Sequence, residues 1–177
     1  MNNIDSRRRA LLGAALALPF TARAQSSCGA ATPQDVEGPF YKAGAPLRAN
    51  LVEAGSTAER MLLTGFVRAA DCKPLASVSL DFWHADDKGE YDSAGYRHRG
   101  IVTSDWEGRY RLETNLPPPY SGRQRHIHVK VQRLGARVLT TQLYFPGEAG
   151  GADRALVVKM ERRAGVRIAS YDFVLAG

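Results

Sequence analysis

The sequence is poor in cysteine, with only Cys28 and Cys72 among its 177 residues. The two are too widely spaced for a zinc knuckle, which excludes a thiolate-rich structural metal site. In an oxidising compartment the pair can form a disulfide between the mature N-terminus and the first hairpin region. Two unpaired thiols fit the sequence equally well, so both states stay open.

Apolar runs long enough to cross a bilayer are also absent. The apolar run at residues 10–20 has about 11 residues, whereas a transmembrane helix needs about 20, so we expect no stable membrane span. An arginine-rich stretch at residues 6–9 precedes the run, and a small-x-small triplet at residues 22–24 follows it. This order predicts a twin-arginine-type signal peptide over residues 1–24, cleaved after Ala24, rather than a membrane anchor. The mature protein would then be periplasmic or secreted.

Positive charge is not concentrated on any segment of the mature chain. Of the formal net charge of +6, half lies in residues 1–24, where four arginines oppose one aspartate. The other basic residues are scattered, with no stripe of lysine and arginine interleaved with aromatic side chains. We therefore expect no nucleic-acid partner.

Sustained helical periodicity is missing as well. Residues 25–59 are rich in Ala, Gly, Pro and Ser and are typical of an irregular arm, which the adjacent Phe40 and Tyr41 indicate is packed. From residue 60 onward, short segments alternate apolar and polar residues between turn residues. This pattern predicts a single all-β domain, an antiparallel β-sandwich, over residues 60–177. The expected strands are 61–69, 77–83, 110–114, a strand within 123–131, 136–145, 156–160 and 166–175.

One predicted strand carries a pair of histidines. His126 and His128 alternate with Ile127 and Val129. Because strand side chains point alternately to opposite faces, both imidazoles lie on one side while the aliphatic residues face the core. Two imidazoles on a rigid face are half of a metal site, but a His-x-His pair alone is a weak signal.

Two tyrosines occupy loops close to strand ends. Tyr91 follows the strand that ends at Trp83, and Tyr120 lies just before the His-x-His strand. A loop tyrosine is usually a surface or interface residue. Two imidazoles with two phenolates, however, form a hard anionic ligand set that favours Fe(III) over Zn²⁺ or Ca²⁺. An Fe(II) oxygenase would instead need a carboxylate beside the histidines.

Five motifs in fixed order resemble those of the intradiol ring-cleavage dioxygenases, a family of non-haem iron enzymes that includes catechol, protocatechuate and hydroxyquinol dioxygenases. Together they extend over most of the mature chain, which makes the resemblance far more specific than any single motif. The motifs are TPQDVEGPFY at residues 32–41, DFWHADDKGEY at 81–91, TSDWEGRY at 103–110, RQRHIH at 123–128 and TQLYF at 141–145.

The resemblance implies that non-haem Fe(III) is the cofactor, held by Tyr91, Tyr120, His126 and His128. It implies that a small aromatic ortho-diol and O₂ are the substrates, and that the ring is cleaved to a cis,cis-muconate-type dicarboxylic acid. Tyr120 would leave the metal when the diol binds and act as the general base. An export signal is unexpected for central aromatic catabolism, so the diol is expected to be a compound met outside the cytoplasm.

Arg123 and Gln142 match positions that line the substrate pocket in this family. A guanidinium at Arg123 would stabilise charge that develops on the substrate. Strand alternation does not distinguish Arg123 from Arg125. Arg123 is chosen because it lies three residues before His126, the spacing that the resemblance implies.

Other histidines and cations have weaker assignments. His84 and His98 are outside the implied ligand set, and we expect Trp83 and His84 to pack or hydrogen-bond beneath the site. A diol that carries a carboxylate would need a cationic anchor, which the arm could supply through Lys42 or Arg48.

Three features differ from the best-known members. Only five residues separate Tyr120 from His126, which could open the site or move Tyr120. The chain lacks the N-terminal helical domain through which catechol dioxygenases dimerise, so it resembles a minimal catalytic sandwich. Because family members differ in assembly, a homo-oligomer is compatible with the sequence but not required by it.

Two other functions fit parts of the sequence. A non-catalytic periplasmic β-sandwich with a degenerate metal site fits the fold, because sandwiches host many functions. The complete ligand set with Arg123 and Gln142 argues against it. A copper or zinc hydrolase built on the His-x-His pair lacks a third histidine or a carboxylate at suitable spacing.

Overall fold

Two β-sheets packed face to face form the structure, a computed structural model that describes residues 28–148 and 150–176. The predicted signal peptide, residues 1–24, lies outside the described residues. Within them, apart from one 3₁₀ turn at Arg154–Leu156, all regular structure is strand, which confirms the predicted all-β sandwich. The strands are β1 Arg60–Ala69, β2 Ser79–Trp83, β3 Arg99–Thr103, β4 Arg109–Asn115, β5 His126–Gln132, β6 Leu139–Tyr144, β7 Lys159–Arg163, β8 Val166–Ser170 and β9 Phe173–Leu175.

The two sheets differ in strand direction. One has the order β3-β2-β5-β6 and is antiparallel throughout; we call it the site sheet. The other has the order β4-β1-β8-β7, with β9 also paired to β1, and it is mixed because β8 and β9 run parallel to β1. Hydrophobic alternation shows which face of a strand is buried but not its direction, so these parallel pairs could not be foreseen.

The core lies between the inner faces of the sheets. Ile127, Val129 and Val131 of β5 are fully buried there, as the alternation predicted, and they pack with residues such as Leu63 and Leu112 of the facing sheet. The histidines of β5 therefore lie on the outer face of the site sheet.

β3 was missed by the sequence analysis. It contains a charged residue and Gly100, so it lacks the apolar alternation of a typical strand. The glycine is required because a Cβ there would lie 2.6 Å from Leu51 Cδ2 and 2.8 Å from the Arg48 carbonyl oxygen. The arm thus crosses β3 in direct contact with its backbone.

The C-terminal strands begin and end at different residues than predicted. The strand expected at 156–160 starts later, as the edge strand β7, whose residues are mostly exposed and so carry no alternation. The segment predicted as one strand at 166–175 is interrupted at Tyr171 and Asp172. There the Asp172 carboxylate accepts a hydrogen bond from the Phe66 backbone amide, 3.0 Å, in place of a ladder bond.

The arm is packed against the sandwich, as its aromatic residues predicted. Its first described residue, Cys28, forms a disulfide with Cys72 in the turn after β1, which settles the pairing that the sequence left open. Farther along, Thr32 bonds the backbone of Val174 in β9, and Asp35 N donates to the carbonyl of Thr140 in β6. The arm therefore reaches the outer face of the site sheet. No helix in the described part of the chain is long and apolar enough to cross a membrane.

Removing the disulfide tests how much the anchoring of the arm contributes to stability. The bond closes a loop of 44 residues. Closing this loop lowers the entropy of the unfolded chain, which stabilises the native state by about 4 kcal/mol. The double substitution Cys28→Ser with Cys72→Ser should therefore lower the free energy of unfolding by about that amount. Urea unfolding of the double variant and of reduced wild-type protein should give the same loss. Equal midpoints for variant and oxidised wild type would contradict this account.

Candidate metal centre

The register of the site sheet aligns the residues of the candidate centre. His128 lies opposite Trp83 of β2 and Gln142 of β6, while His126 lies opposite Tyr144. Directly opposed residues share a face of the sheet. One polar row on the outer face is therefore fixed by strand pairing alone.

Tyr91 brings its hydroxyl to both histidines. Its oxygen lies 3.3 Å from Nε2 of His126 and 3.1 Å from Nε2 of His128. Three of the four proposed ligands thus converge on one point, from β5 and from the loop that follows β2. The structure brings these three together as the sequence analysis expected.

The loop that carries Tyr91 is organised by two aspartates. Asp86 Oδ1 accepts hydrogen bonds from the backbone amides of Lys88 and Glu90. The Asp92 carboxylate accepts three more, from residues 94, 95 and 97, and these lower the pKa of Asp92 to about 2. Tyr91 lies between these two Asx-type turns, which hold its backbone on either side.

Tyr120 sits on a tight turn beside this group. The backbones of Tyr120 and Arg123 exchange two hydrogen bonds, 3.2 and 2.8 Å, and the intervening Ser121 and Gly122 both have positive φ. This two-residue turn explains how five residues can connect Tyr120 to His126. The Tyr120 ring packs edge-on against the Tyr91 ring, 5.5 Å between centroids. Among the described residues its hydroxyl makes no hydrogen bond to either histidine, so Tyr120 is adjacent to the centre rather than part of the converged group.

Two aromatic stacks hold the converged group in place. Phe40 of the arm stacks on Tyr91 with 4.6 Å between centroids, and Trp83 stacks on His128 with 4.9 Å, both at 7°. Gly38 lets the arm approach, because it has φ +72° and an added Cβ would lie 3.3 Å from Cε1 of His128. The arm and the sheet thus enclose these side chains from opposite sides.

Burial controls the protonation of the group. It lowers the pKa of His126, and it lowers the pKa of His128 to about 2, with the neighbouring His126 as a second cause. Burial also raises the pKa of Tyr91 to about 12. Without a cation, the three side chains are therefore two neutral imidazoles and a neutral phenol at pH 7.

A metal ion fits this donor set. The Nδ1 atom of His126 lies 2.6 Å from the Gln124 carbonyl oxygen, which can only accept, so Nδ1 carries the proton and Nε2 presents a lone pair to Tyr91. Tyr91 has one proton, so it can donate to only one of the two Nε2 atoms, and the buried Nδ1 of His128 has no hydrogen-bond partner among the described residues. A cation would bind both lone pairs and favour the phenolate, because bound metals reverse the local pKa preference. No group of three or more His, Cys, Asp or Glu residues within the described ranges is arranged to hold a metal, so a centre here depends on tyrosine.

Arg123 points toward the site, whereas Arg125 points away. Arg123 Nη2 donates to Gln142 Oε1 at 2.7 Å and lies 3.3 Å from the Tyr144 hydroxyl. Arg125 instead forms an ion pair with Glu148. The distinction that strand alternation could not make is therefore made by the side-chain contacts.

Tyr144 and Asp35 join this network and were not predicted as site residues. The Tyr144 hydroxyl donates to Asp35 Oδ2 at 2.8 Å, and Gln142 Nε2 donates to the Val36 carbonyl at 2.6 Å. Tyr144 could have been found, because it lies two residues after Gln142 on the same strand face. Asp35 carried no such signal, since it belongs to the irregular arm.

The remaining candidates serve the scaffold. His84 is fully buried between the Ala85 carbonyl and Thr114 Oγ1, next to the ring of His98, which places it beneath the site as expected. Lys42 donates to three carbonyls at residues 93–95, and Arg48 donates to carbonyls at residues 96 and 99. Neither cation lines the space beside Arg123, so the expected anchor for a substrate carboxylate is not found there.

The cavity next to the site is not the largest one. A cavity of about 980 Å³ lies at the edges of β3 and β4, and none of its lining residues belongs to the site. A smaller, more polar cavity of about 490 Å³ includes Asp35, Arg123 and Tyr144 in its wall. We assign the latter to the site because of these shared residues.

The structure is a β-sandwich with two histidines and a tyrosine converging on the outer face of one sheet, and comparisons with known proteins identify its family. The sequence profile of a family described as dioxygenase matches residues 36–177. Catechol 1,2-dioxygenase of Acinetobacter baylyi is 33% identical over 147 residues, 67% of this chain and 47% of the relative. Chlorocatechol 1,2-dioxygenase of a Pseudomonas species is 27% identical over 172 residues, 79% of this chain and 68% of the relative.

Solved structures agree with the sequence matches. The dioxygenase domain of a dioxygenase carbohydrate-binding protein fusion from Streptomyces sp. SirexAA-E has a TM-score of 0.80 and 41% identity, covering 83% of this chain and 99% of that domain. Catechol 1,2-dioxygenase from Pseudomonas arvilla C-1 has a TM-score of 0.74 and 28% identity, covering 82% of this chain and 62% of that one. The chain belongs to the intradiol ring-cleavage dioxygenase family. It is accordingly an intradiol dioxygenase, an oxidoreductase.

The buried histidines make the stability of the metal-free protein depend on pH. Burial lowers the pKa of His84 to about 3 and that of His128 to about 2, whereas both return to about 6.5 on unfolding. The unfolded chain then binds more protons, so their contribution is complete above pH 6.5 and is lost as the pH falls. Between pH 6 and pH 5 we expect these two residues to lower the free energy of unfolding by about 2.5 kcal/mol, measured by urea unfolding.

A His84→Gln variant is the control for this pH dependence. Asp81 titrates in the opposite sense, because burial raises its pKa, so the comparison between variant and wild type isolates the histidine. Between pH 6 and pH 5 the loss of stability should be smaller in the variant than in wild type by about 1.2 kcal/mol, the share of one histidine. A wild-type stability that is flat between pH 6 and pH 5 would contradict the assignment of neutral buried imidazoles.

Proposed function

We propose that this dioxygenase uses non-haem Fe(III), held by Tyr91, Tyr120, His126 and His128, to cleave a catechol-type ortho-diphenol. The bond between the two hydroxyl-bearing carbons would break, and each atom of O₂ would end in one carboxyl group of a cis,cis-muconate-type dicarboxylic acid. The observation that carries this proposal is the approach of both histidine Nε2 atoms to the Tyr91 oxygen, at 3.1 and 3.3 Å. When bound, a ferric ion supplies the Lewis acidity and redox capacity for reaction of the diol with O₂.

The two tyrosines would have different roles. Tyr91 is held by the Phe40 stack and by both histidines, which suits a ligand that stays. Tyr120 is partly exposed and lies on a turn, and its ring meets the rings of Phe40 and Tyr91 edge-on. It therefore suits a ligand that leaves when the diol binds, and its departing phenolate could take a proton from the substrate.

Arg123 would stabilise charge on the substrate oxygens. Its Nη2 is oriented by Gln142 and Tyr144, so the cation is held before any substrate arrives. A cation fixed in advance needs no reorganisation as charge develops, which is the usual source of electrostatic catalysis.

We also propose that the protein is exported through its twin-arginine-type signal and acts in the periplasm or outside the cell. The disulfide between Cys28 and Cys72 supports an oxidising compartment. The twin-arginine route exports folded proteins, so a cofactor enclosed by the arm could be bound in the cytoplasm before export.

Colour and turnover together test the proposed function. The iron-loaded protein should show a broad visible tyrosinate-to-iron charge-transfer band and consume O₂ with unsubstituted catechol, giving the ultraviolet spectrum of an intradiol product. Tyr91→Phe combined with Tyr120→Phe should remove the band, while retained secondary structure by circular dichroism serves as control. A colourless iron-replete protein, or a band that persists in the double variant, would rule out the tyrosine ligands. A coloured protein that consumes no O₂ with any catechol would favour a degenerate, non-catalytic site.

Lysine substitutions separate the two neighbouring arginines. Arg123→Lys keeps the charge but loses the planar set of donors that reaches Gln142 and Tyr144, so kcat should fall about 100-fold. Arg125→Lys makes the same chemical change two residues away and should keep its ion pair with Glu148, so its kcat should match wild type. Steady-state oxygen uptake with catechol measures both. Equal losses in the two variants would show that Arg123 has no special role.

A further inference from the structure

The cavity beside Arg123 has space for more than the two hydroxyl groups of a diol. Its volume is about 490 Å³, within the range of sites that enclose small organic ligands. Arg123 and Tyr144 belong both to the cavity lining and to the network at the site, and the Tyr144 ring lies 6.1 Å from the ring of His126. Asp35 and Asp153 also line the cavity.

The wall of this cavity is acidic. Asp35 accepts hydrogen bonds from the Tyr144 hydroxyl at 2.8 Å and from the Val36 amide at 2.6 Å. Asp153 accepts from the Ala155 amide at 2.9 Å. All these donors are neutral, and within the described ranges neither carboxylate forms an ion pair with a lysine or arginine. The two negative charges are therefore available to act on a substituent in the cavity.

Positive charge in the lining comes from Arg123, which is already engaged. Its Nη2 donates to Gln142, and the proposed function assigns its charge to the diol oxygens. Lys42 and Arg48, the cations in the arm, make their hydrogen bonds elsewhere. A carboxylate substituent on the substrate ring would therefore face the negative charges of Asp35 and Asp153, and the lining would offer it no further cation as a partner.

We infer that the substituent of the aromatic diol lies in this cavity and that Asp35 selects catechols whose substituent is a protonated amine or another hydrogen-bond donor over catechols that bear a carboxylate. This inference rests on the proposed function, because it places the diol between the metal ligands and Arg123. Asp35 acts as a specificity-determining residue through its charge, while its bond to Tyr144 helps to position the wall.

Three substrates with the same ring test the selection. The probes are 4-(2-aminoethyl)catechol, 3-(3,4-dihydroxyphenyl)propanoate and the neutral 4-ethylcatechol. In both charged probes two methylene groups separate the charge from the ring, which keeps ring reactivity similar. For the wild type, kcat/KM should be higher for the amine than for the carboxylate by about tenfold or more, as expected for charges interacting across a partly solvated cavity. In Asp35→Asn the ratio of the two should fall about tenfold, and kcat/KM for the uncharged 4-ethylcatechol measures any effect of the substitution that is common to all diols.

Two further variants locate the effect. Glu37→Gln removes a negative charge two residues away in the arm, but Glu37 pairs with Lys130 and does not line the cavity, so the ratio should stay at the wild-type value. Asp153→Asn removes the other cavity charge without touching Tyr144 and keeps a good helix cap, so the ratio should fall in the same direction by a smaller factor. Asp153→Asn also decides the case if Asp35→Asn fails to fold.

The possible results separate the inference from the proposed function. If iron-loaded wild type cleaves none of the three diols and not catechol itself, the proposed function is wrong. If it cleaves 4-ethylcatechol, but the amine-to-carboxylate ratio in Asp35→Asn and Asp153→Asn equals that of wild type, the function stands and the inference is overturned. An equal fall in kcat/KM for all three diols in Asp35→Asn, with an unchanged ratio, would assign Asp35 to positioning Tyr144 and would also overturn it.

Discussion

The polar outer face of the site sheet is the feature on which the rest of the structure depends. Strand register places His126, His128 and Gln142 together on that face, away from the core. An open sheet face would leave these groups in water, where the histidines would titrate near neutral pH. The arm covers them. The disulfide between Cys28 and Cys72 anchors the start of the described part of the arm to the turn after β1. The sheet therefore supplies the two histidines, and the arm supplies burial that keeps them neutral.

That burial explains why a metal centre can form without a carboxylate ligand. Desolvation keeps both imidazoles neutral, so each can present a lone pair, and the same desolvation keeps Tyr91 protonated until a cation arrives. Binding of a trivalent ion would release the phenol proton and place anionic oxygen beside neutral nitrogen. Burial would raise the pKa of a carboxyl group in this position too, but a carboxyl group ionises at a much lower pH than a phenol, so its charge would depend less on the cation.

Sequence reasoning found the features encoded by local pattern and missed those that depend on the arm. The histidine pair follows from strand alternation, and Tyr144 could have been inferred from the position of Gln142 on the same strand face. Gly100 removed the strand signal of β3, because the glycine serves the close crossing of the arm. Asp35 could not be predicted, since its partner Tyr144 is 109 residues away and no periodicity relates an irregular segment to a sheet.

The turn from Tyr120 to Arg123 links two proposed functions, a ligand that leaves and a cation that stays. Arg123 is held through its side chain by Gln142 and Tyr144, whereas Tyr120 is held through ring edges and through its backbone bonds to Arg123. Between them, Ser121 and Gly122 are exposed and both have positive φ. Motion of Tyr120 away from Tyr91 can therefore be absorbed by rotation within the turn or about the tyrosine side-chain bonds, while the guanidinium remains fixed. The connection from Tyr120 to His126 is shorter than in the best-known family members. Within its first four residues, Tyr120 can move while the Arg123 side chain stays in position.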